Sequence, residues 1–187
     1  MKRLRVLVAN ERADRLAVVA GIISSLGHEV LAPQMDVSAV GQVTARERPD
    51  VAFVGLGENS QHALSLIEMI VHEATCPVIA LLPEANPDFV VEAAKRGIFA
   101  HVTGNEPHEW QNSIEIALRR FAQLSDLEGA FMRRLATERA KGILMERHGV
   151  GDLGALQILR DEARAANSSL VEAAEKVVAE TRPAPEG

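Results

Sequence analysis

Arg133, Arg134, Arg139, Lys141 and Arg147 gather in one stretch toward the C-terminal end of the chain. They are interleaved with Leu135, Ala136, Ala140, Ile143 and Leu144. At helical spacing the apolar set falls on one side and most of the charges on the other. Guanidinium forks and an ammonium group on such a face suit the holding of phosphate or carboxylate oxygens. Gly142, in the middle of the run, would let a ligand or a neighbouring helix come close to the main chain. Catalytic chemistry has far less to build on. The six histidines are scattered at His28, His62, His72, His101, His108 and His148. No His–Glu pair has metal-ligand spacing on one helix face, and no Walker-type glycine-rich loop occurs. The single cysteine, Cys76, stands beside Pro77 in an apolar run and reads as a small buried residue. It excludes an intrachain disulfide and a cysteine-based metal centre. The chain is expected to be no enzyme and to need no metal or cofactor.

The 187 residues suit one large domain, or one medium domain plus a small module. With 47% hydrophobic and 25% charged residues, the composition is that of a globular protein. The net charge of −6 argues against indiscriminate nucleic-acid binding. That acidity is unevenly placed: residues 1–132 carry about six excess negative charges and residues 133–182 about one excess positive charge, which leaves room for a local basic face. Five Phe, one Trp and no Tyr are too few rings for an aromatic platform that stacks single-stranded bases. The apolar run from Leu4 to Ala9 is too short for a signal-peptide core, and no later segment is long enough to span a bilayer. The expectation is a cytoplasmic protein with no membrane partner.

The elements that must position these residues follow from periodicity. Strands are expected at 4–9, 28–32, 50–56, 77–82 and 100–103. Helices are expected at 12–26, 36–47, 60–73 and 87–96, with Gly27 and Gly97 at helix ends. Strands alternating with helices imply right-handed parallel crossovers and a sheet covered on both faces. The spacing suits the flavodoxin-like strand order 2-1-3-4-5, whose ligand site lies at the carboxyl ends of the central strands.

From Pro107 a long helical run begins. Trp110, Ile114, Ala117, Phe121, Leu124, Phe131 and Leu135 recur at steps of about four and three, a spacing that serves packing on the sheet or a coiled coil with a second chain. Glu128 interrupts the seam, and Gly129 weakens the helix by roughly 1 kcal/mol. Three shorter helical segments follow. The first ends at Gly149. The second begins near Asp152, a suitable N-cap, with Leu156, Leu159 and Ala163 inward. The third begins near Ser169, where Ser169 and Glu172 have capping-box spacing. Ala140, Ile143, Leu144, Leu159, Leu170 and Val177 are assigned to the core of this module, with Met145. The tail, residues 182–187, reads as disordered.

The first part resembles a two-component receiver domain. The matches are Arg5-Val6-Leu7-Val8, Pro49-Asp50-Val51-Ala52-Phe53-Val54, Cys76-Pro77-Val78-Ile79-Ala80-Leu81 and Arg96-Gly97-Ile98-Phe99-Ala100. The resemblance implies a pocket with two acids for Mg²⁺, an aspartate that takes the phosphoryl group, a hydroxyl and a lysine. Here the acid pair is Asn10 and Glu11, the acceptor position is Gly55, the hydroxyl position is Leu82, and the lysine position is Gly104 followed by Asn105. Glu58 is read as a loop acid. The resemblance therefore implies a degenerate, non-phosphorylatable pseudo-receiver, left to bind a signalling protein, a small ligand or a second copy.

The later part resembles the ANTAR family of RNA-binding antitermination modules. The strongest string is Ala140-Lys141-Gly142-Ile143-Leu144-Met145-Glu146-Arg147-His148-Gly149. Ala155, Leu159-Arg160, Ala163, Asn167, Leu170-Val171, Ala173 and Val177-Val178 follow at the family's intervals. This resemblance implies recognition of paired RNA stem-loops, in many members by dimers. The candidate RNA contacts are Arg134, Arg139, Lys141, Gly142, Arg147, Arg160, Arg164, Asn167 and Ser169. Lys141, Gly142 and Asn167 lead the set, because packing is not expected to need their polar atoms. The candidate dimer seam is Trp110, Ile114, Ala117, Phe121 and Leu124.

The fold expected is thus α/β: a flavodoxin-like (βα)5 receiver-like domain over 1–125, then a long helix starting near 107, then an all-α three-helix ANTAR module over 126–181. The function expected is RNA-binding transcription antitermination. The alternative is a regulator whose helical tail docks a partner protein. A DNA-binding response regulator fits less well, because the Gly149–Asp152 turn and the acidic third helix suit major-groove reading poorly.

Overall fold

The computed structural model describes residues 2–31, 33, 36–56, 60–82 and 87–181. Glu58, Ala32 at the end of the second expected strand, and the tail at 182–187 lie outside the described residues. The chain divides into two compact units, Met1–Gln123 and Leu124–Gly187.

The first unit is a parallel sheet of β1 (Arg5–Asn10), β2 (Glu29–Val30), β3 (Val51–Gly55), β4 (Val78–Leu81) and β5 (Ala100–Val102), in the order β2-β1-β3-β4-β5. This is the flavodoxin-like order the alternation implied, and every described pairing is parallel. Side chains of a strand alternate between faces, and both faces here are apolar. Leu7, Ala9, Ala52, Val54, Val78 and Ala80 meet α2 (Val40–Glu47), α3 (Ser60–Glu73) and α4 (Pro87–Lys95) on one side. Val6, Val8, Val51, Phe53, Ile79 and Val102 meet α1 (Ala13–Ser25) and the start of α5 (Pro107–His148) on the other. A short 3-10 turn, Val37–Ala39, leads into α2, so the expected 36–47 helix is split in two. Gly27 has φ +82 and closes α1, with its N–H bonded to Ser24 O and that of His28 to Ile23 O. A side chain there would be strained, which is why the chain can turn at once into β2.

Packing corrects the candidate dimer seam. Trp110, Ile114 and Ala117 are buried against the sheet, with the Trp110 ring stacked on Phe53 at 5.1 Å. They are core positions of the first unit and unavailable to a second chain. Phe121 is half-buried and meets Phe99 edge-on at 5.4 Å. Of the five seam residues only Leu124 is exposed. The 4–3 spacing is shared by a helix lying on a sheet and by a coiled coil, so spacing could not separate the two.

The second unit holds the remainder of α5, α6 (Asp152–Ala165) and α7 (Leu170–Glu180). Its core is mostly alanine and leucine: Ala140, Leu144, Ala155, Leu159, Ala174 and Val177, with Ile143 and Leu170 partly buried against them. Alanines let the helices approach closely, which suits a module too small for large side chains. Two details differ from expectation. Leu135 and Met145 are exposed rather than inward. Residue 155 rather than 156 takes the fully buried place on α6.

Candidate nucleic-acid interface

The helix ends that frame the module are made by local chemistry. Ser169 caps α7: its hydroxyl accepts from Glu172 N–H at 3.2 Å, and the Glu172 carboxylate accepts from Ser169 N–H at 2.7 Å. This capping box is the one its spacing called for, and such a cap stabilises a helix by about 1 kcal/mol. It also holds the Glu172 carboxyl below its usual range through those bonds. The end of α6 is closed by Asn167, at φ +49. Its N–H reaches Arg164 O at 3.1 Å, and that of Ser168 reaches Ala163 O at 2.9 Å. Asparagine is among the few side chains that visit this left-handed region readily. Its carboxamide is left exposed beside the capped start of α7.

Lys141 is placed differently from its sequence reading. Only 11% of its side chain is exposed, and its Nζ lies 2.5 Å from Asp152 Oδ1 and 3.1 Å from Glu138 Oε2. The hydrogen bond to Asp152, then that to Glu138, holds the ammonium above the ordinary lysine value. Asp152 is therefore not the N-cap; Gly151 occupies that place without a side-chain bond, and the Asp152 carboxylate is spent on Lys141. The reasoning that packing does not need the Lys141 ammonium is corrected: it ties α5 to the first turn of α6.

The other candidates divide by commitment. Arg147 lies 3.9 Å from Glu180 and donates to Thr181 Oγ1 at 3.5 Å. Arg164 pairs with Asp161 at 3.2 Å. Among the described residues the exposed guanidinium groups of Arg134, Arg139 and Arg160 form no ion pair. Lys176 on α7 is likewise exposed and unpaired among the described residues, and sequence reasoning passed it over because it lies outside the family string.

Gly142 is exposed in the interior of α5, and a Cβ built on it meets nothing within 4 Å. Neither the fold of the unit nor its backbone geometry requires a glycine there. Arg139 is three residues earlier and hence on the same helix face. The arrangement is a bare patch of helix backbone with an uncommitted guanidinium beside it.

A pocket of the first unit lies where the strand order predicts, at the carboxyl ends of β1, β3, β4 and β5. Asn10 is buried and its carboxamide lies over Gly55. A Cβ at position 55 would fall within that carboxamide, with even its far oxygen at 2.9 Å. Glu11 is turned to His62, whose Nε2 is 3.4 Å from Glu11 Oε1. Leu82 is buried at the hydroxyl position, and Gly104 accepts a hydrogen bond from Trp110 Nε1–H at 3.0 Å. Cys76 is buried, and burial, with a smaller contribution from Asp50, pushes its thiol up to about 12. Among the described residues no group of three or more His, Cys, Asp or Glu could hold a metal ion. No helix among them is long and apolar enough to cross a membrane.

Residues 125–178 match the ANTAR domain family. The chain is 25% identical over 184 residues to the transcriptional regulatory protein PdtaR of Mycobacterium tuberculosis, covering 93% of this chain and 89% of that one. Among solved structures, the response regulator domain of Thermotoga maritima CheB aligns with TM-score 0.53 at 21% identity, over 63% of this chain and 98% of its own. A two-component response regulator of the LuxR family from Aurantimonas aligns with TM-score 0.55 at 16% identity, over 63% of this chain and 86% of its own. At these identities the structural likeness speaks to the fold of the first unit.

Proposed function

We propose that this chain, an ANTAR response regulator with a receiver-fold domain ahead of its ANTAR domain, is a cytoplasmic antitermination regulator that grips stem-loop RNA through its C-terminal module. The observation that carries the reading is Gly142. A glycine inside an exposed helix costs about 1 kcal/mol relative to alanine, and nothing within the unit compensates for it. A close approach from outside does, and the adjacent Arg139 marks that approach as anionic. Hairpin loops present phosphate turns and splayed bases that such a surface can meet. Arg134, Arg160 and the exposed Asn167 carboxamide extend the set. Lys141 and Ser169 serve as positioning residues, and Arg147 and Arg164 contribute only by exchanging their present acidic partners.

The receiver-fold domain acts without phosphorylation. Its acceptor position is a glycine already covered by Asn10. The protein works as a homodimer. Leu124, Leu127, Phe131, Met132 and Leu135 are all exposed on α5, an apolar run that a single chain leaves uncovered.

The test is a gel-shift series with a paired stem-loop RNA across a range of salt. Expected are saturable binding that weakens with salt, a tenfold or greater loss in Arg139→Ala, and a shallower salt dependence in that variant by about 0.7 in the log–log slope. Absence of binding by dimeric, folded protein would overturn the reading in favour of a tail that docks a partner protein.

A further inference from the structure

The cavity at the carboxyl ends of the strands has a donor set of its own. Among its described lining residues are Asn10, Arg12, Arg15, Thr103 and Asn105, and no carboxylate. A receiver pocket that holds a divalent cation needs several acidic oxygens. Here the one acid retained from the pair, Glu11, is engaged with His62 outside the cavity. Among the described lining residues the charged side chains are both cationic, Arg12 and Arg15.

Orientation supports this. Asn10 Oδ1 accepts from Arg12 N–H at 2.9 Å, so its amide nitrogen must be the end that lies over Gly55 and faces the cavity. Asn10 is only 6% exposed, and none of the buried side-chain polar atoms among the described residues lacks a hydrogen-bond partner, so its NH₂ group opens to the cavity rather than standing as an orphaned buried donor. Arg12 is held at the rim by Asp14, with contacts of 2.8 and 3.2 Å. Arg15, one helical turn into α1, is exposed with no ion-pair partner among the described residues. The opposite wall is apolar: Leu56, Leu82, Val102 and Trp110. The cavity is about 70 Å³ and opens to solvent, which leaves room for a small oxyanion such as phosphate or a short carboxylate, since one water needs only about 10–15 Å³ on this measure.

We propose that this pocket is a metal-independent site for a small oxyanion, bound by Arg15 and the Asn10 amide with the apolar wall at its back. The inference rests on the pseudo-receiver reading above, since it requires that the pocket no longer performs phosphoryl transfer with Mg²⁺. It assigns the ligand class that the degenerate site would take instead.

Trp110 is the chain's single tryptophan and lines the pocket, so its fluorescence reports binding there. The full-length protein is titrated with inorganic phosphate, and separately with propionate, in EDTA at ionic strength fixed with chloride. Expected is a saturable change in Trp110 emission with at least one anion, its midpoint raised tenfold or more in Arg15→Ala and unchanged in Arg139→Ala. A larger response to phosphate than to propionate assigns an inorganic oxyanion, and the reverse assigns a carboxylate with an apolar body. The proposal is overturned by no saturable change with either anion, by an unchanged midpoint in Arg15→Ala, or by a response that appears only with Mg²⁺. Incubation with acetyl phosphate and Mg²⁺ separates the two readings. Added mass would sink the pseudo-receiver itself, whereas no added mass with a silent Trp110 would sink only the anion site.

Discussion

Replacing Gly142 by alanine is expected to make the protein more stable and a poorer RNA binder at once. The added methyl group meets nothing within 4 Å, and the backbone there is helical, with no positive φ to strain. The helix-propensity difference of about 1 kcal/mol should therefore appear almost undiminished. For a unit of the size of Leu124–Gly187 that corresponds to a rise of about 4–8 °C in melting temperature. Circular dichroism at the helical band, followed through the transition of the C-terminal unit, measures it. In the RNA gel shift the same methyl group stands between the ligand and the main chain, and affinity should drop tenfold or more, about 1.4 kcal/mol. Opposite signs in the two assays cannot arise from misfolding. Unchanged RNA affinity in a stabilised variant would refute the idea that Gly142 is open for a ligand. A fall in melting temperature would refute the claim that its surroundings are empty.

Asn167 separates folding from contact in a similar way: Asn167→Gly should keep the melting temperature within about 1 °C, since glycine adopts φ > 0 freely, yet weaken RNA binding. Asn167→Ala should weaken binding and also cost about 1 kcal/mol through left-handed strain, read by thermal denaturation. Lys141→Met should lower the melting temperature by leaving Asp152 without its cation. Because the folded ammonium titrates above its ordinary value of 10.5, the stabilisation is complete below that value and is lost as pH rises through the raised one. The difference from wild type should thus stay constant between about pH 7 and 10 and shrink only above that, and an early decline would contradict the pairing. Gly55→Asp alone should gain no mass from acetyl phosphate and Mg²⁺ by mass spectrometry, because the new side chain meets the Asn10 carboxamide; phosphorylation of that single variant would show the pocket to be less blocked than its geometry implies.

Much of this architecture was legible in local pattern. The alternation of apolar runs with amphipathic segments was enough for the parallel sheet and its order, because each strand of such a sheet is apolar throughout and each crossover has one hand. Gly27, Gly97 and the Ser169–Glu172 pair marked helix ends through chemistry confined to a few neighbours. The residues Asn10, Gly55, Leu82 and Gly104, on which the proposed loss of phosphorylation rests, were also readable one by one. Misreadings came where two environments share one spacing. Trp110, Ile114 and Ala117 repeat as a coiled-coil seam repeats, but Phe53 and its neighbours on the sheet claim them first. Met145 and Leu135 have core-like side chains and stand exposed, because the turn of α5 carries them away from α6 and α7.

Residue types along the chain determined what it is made of: a doubly wound domain with Asn10, Gly55, Leu82 and Gly104 at the ends of its strands, then a helical module with a basic, glycine-bearing stretch. Only the tertiary structure decided which polar groups remain available. Lys141 and Asp152, eleven positions apart, neutralise each other once α6 folds back on α5, while Arg139 and Gly142 stay open. Asn10 and Gly55 become complementary only because β1 and β3 pair in register. Availability depends on which charges and side chains are brought within a few ångströms of one another, and spacing along one helix carries no record of what arrives from the next.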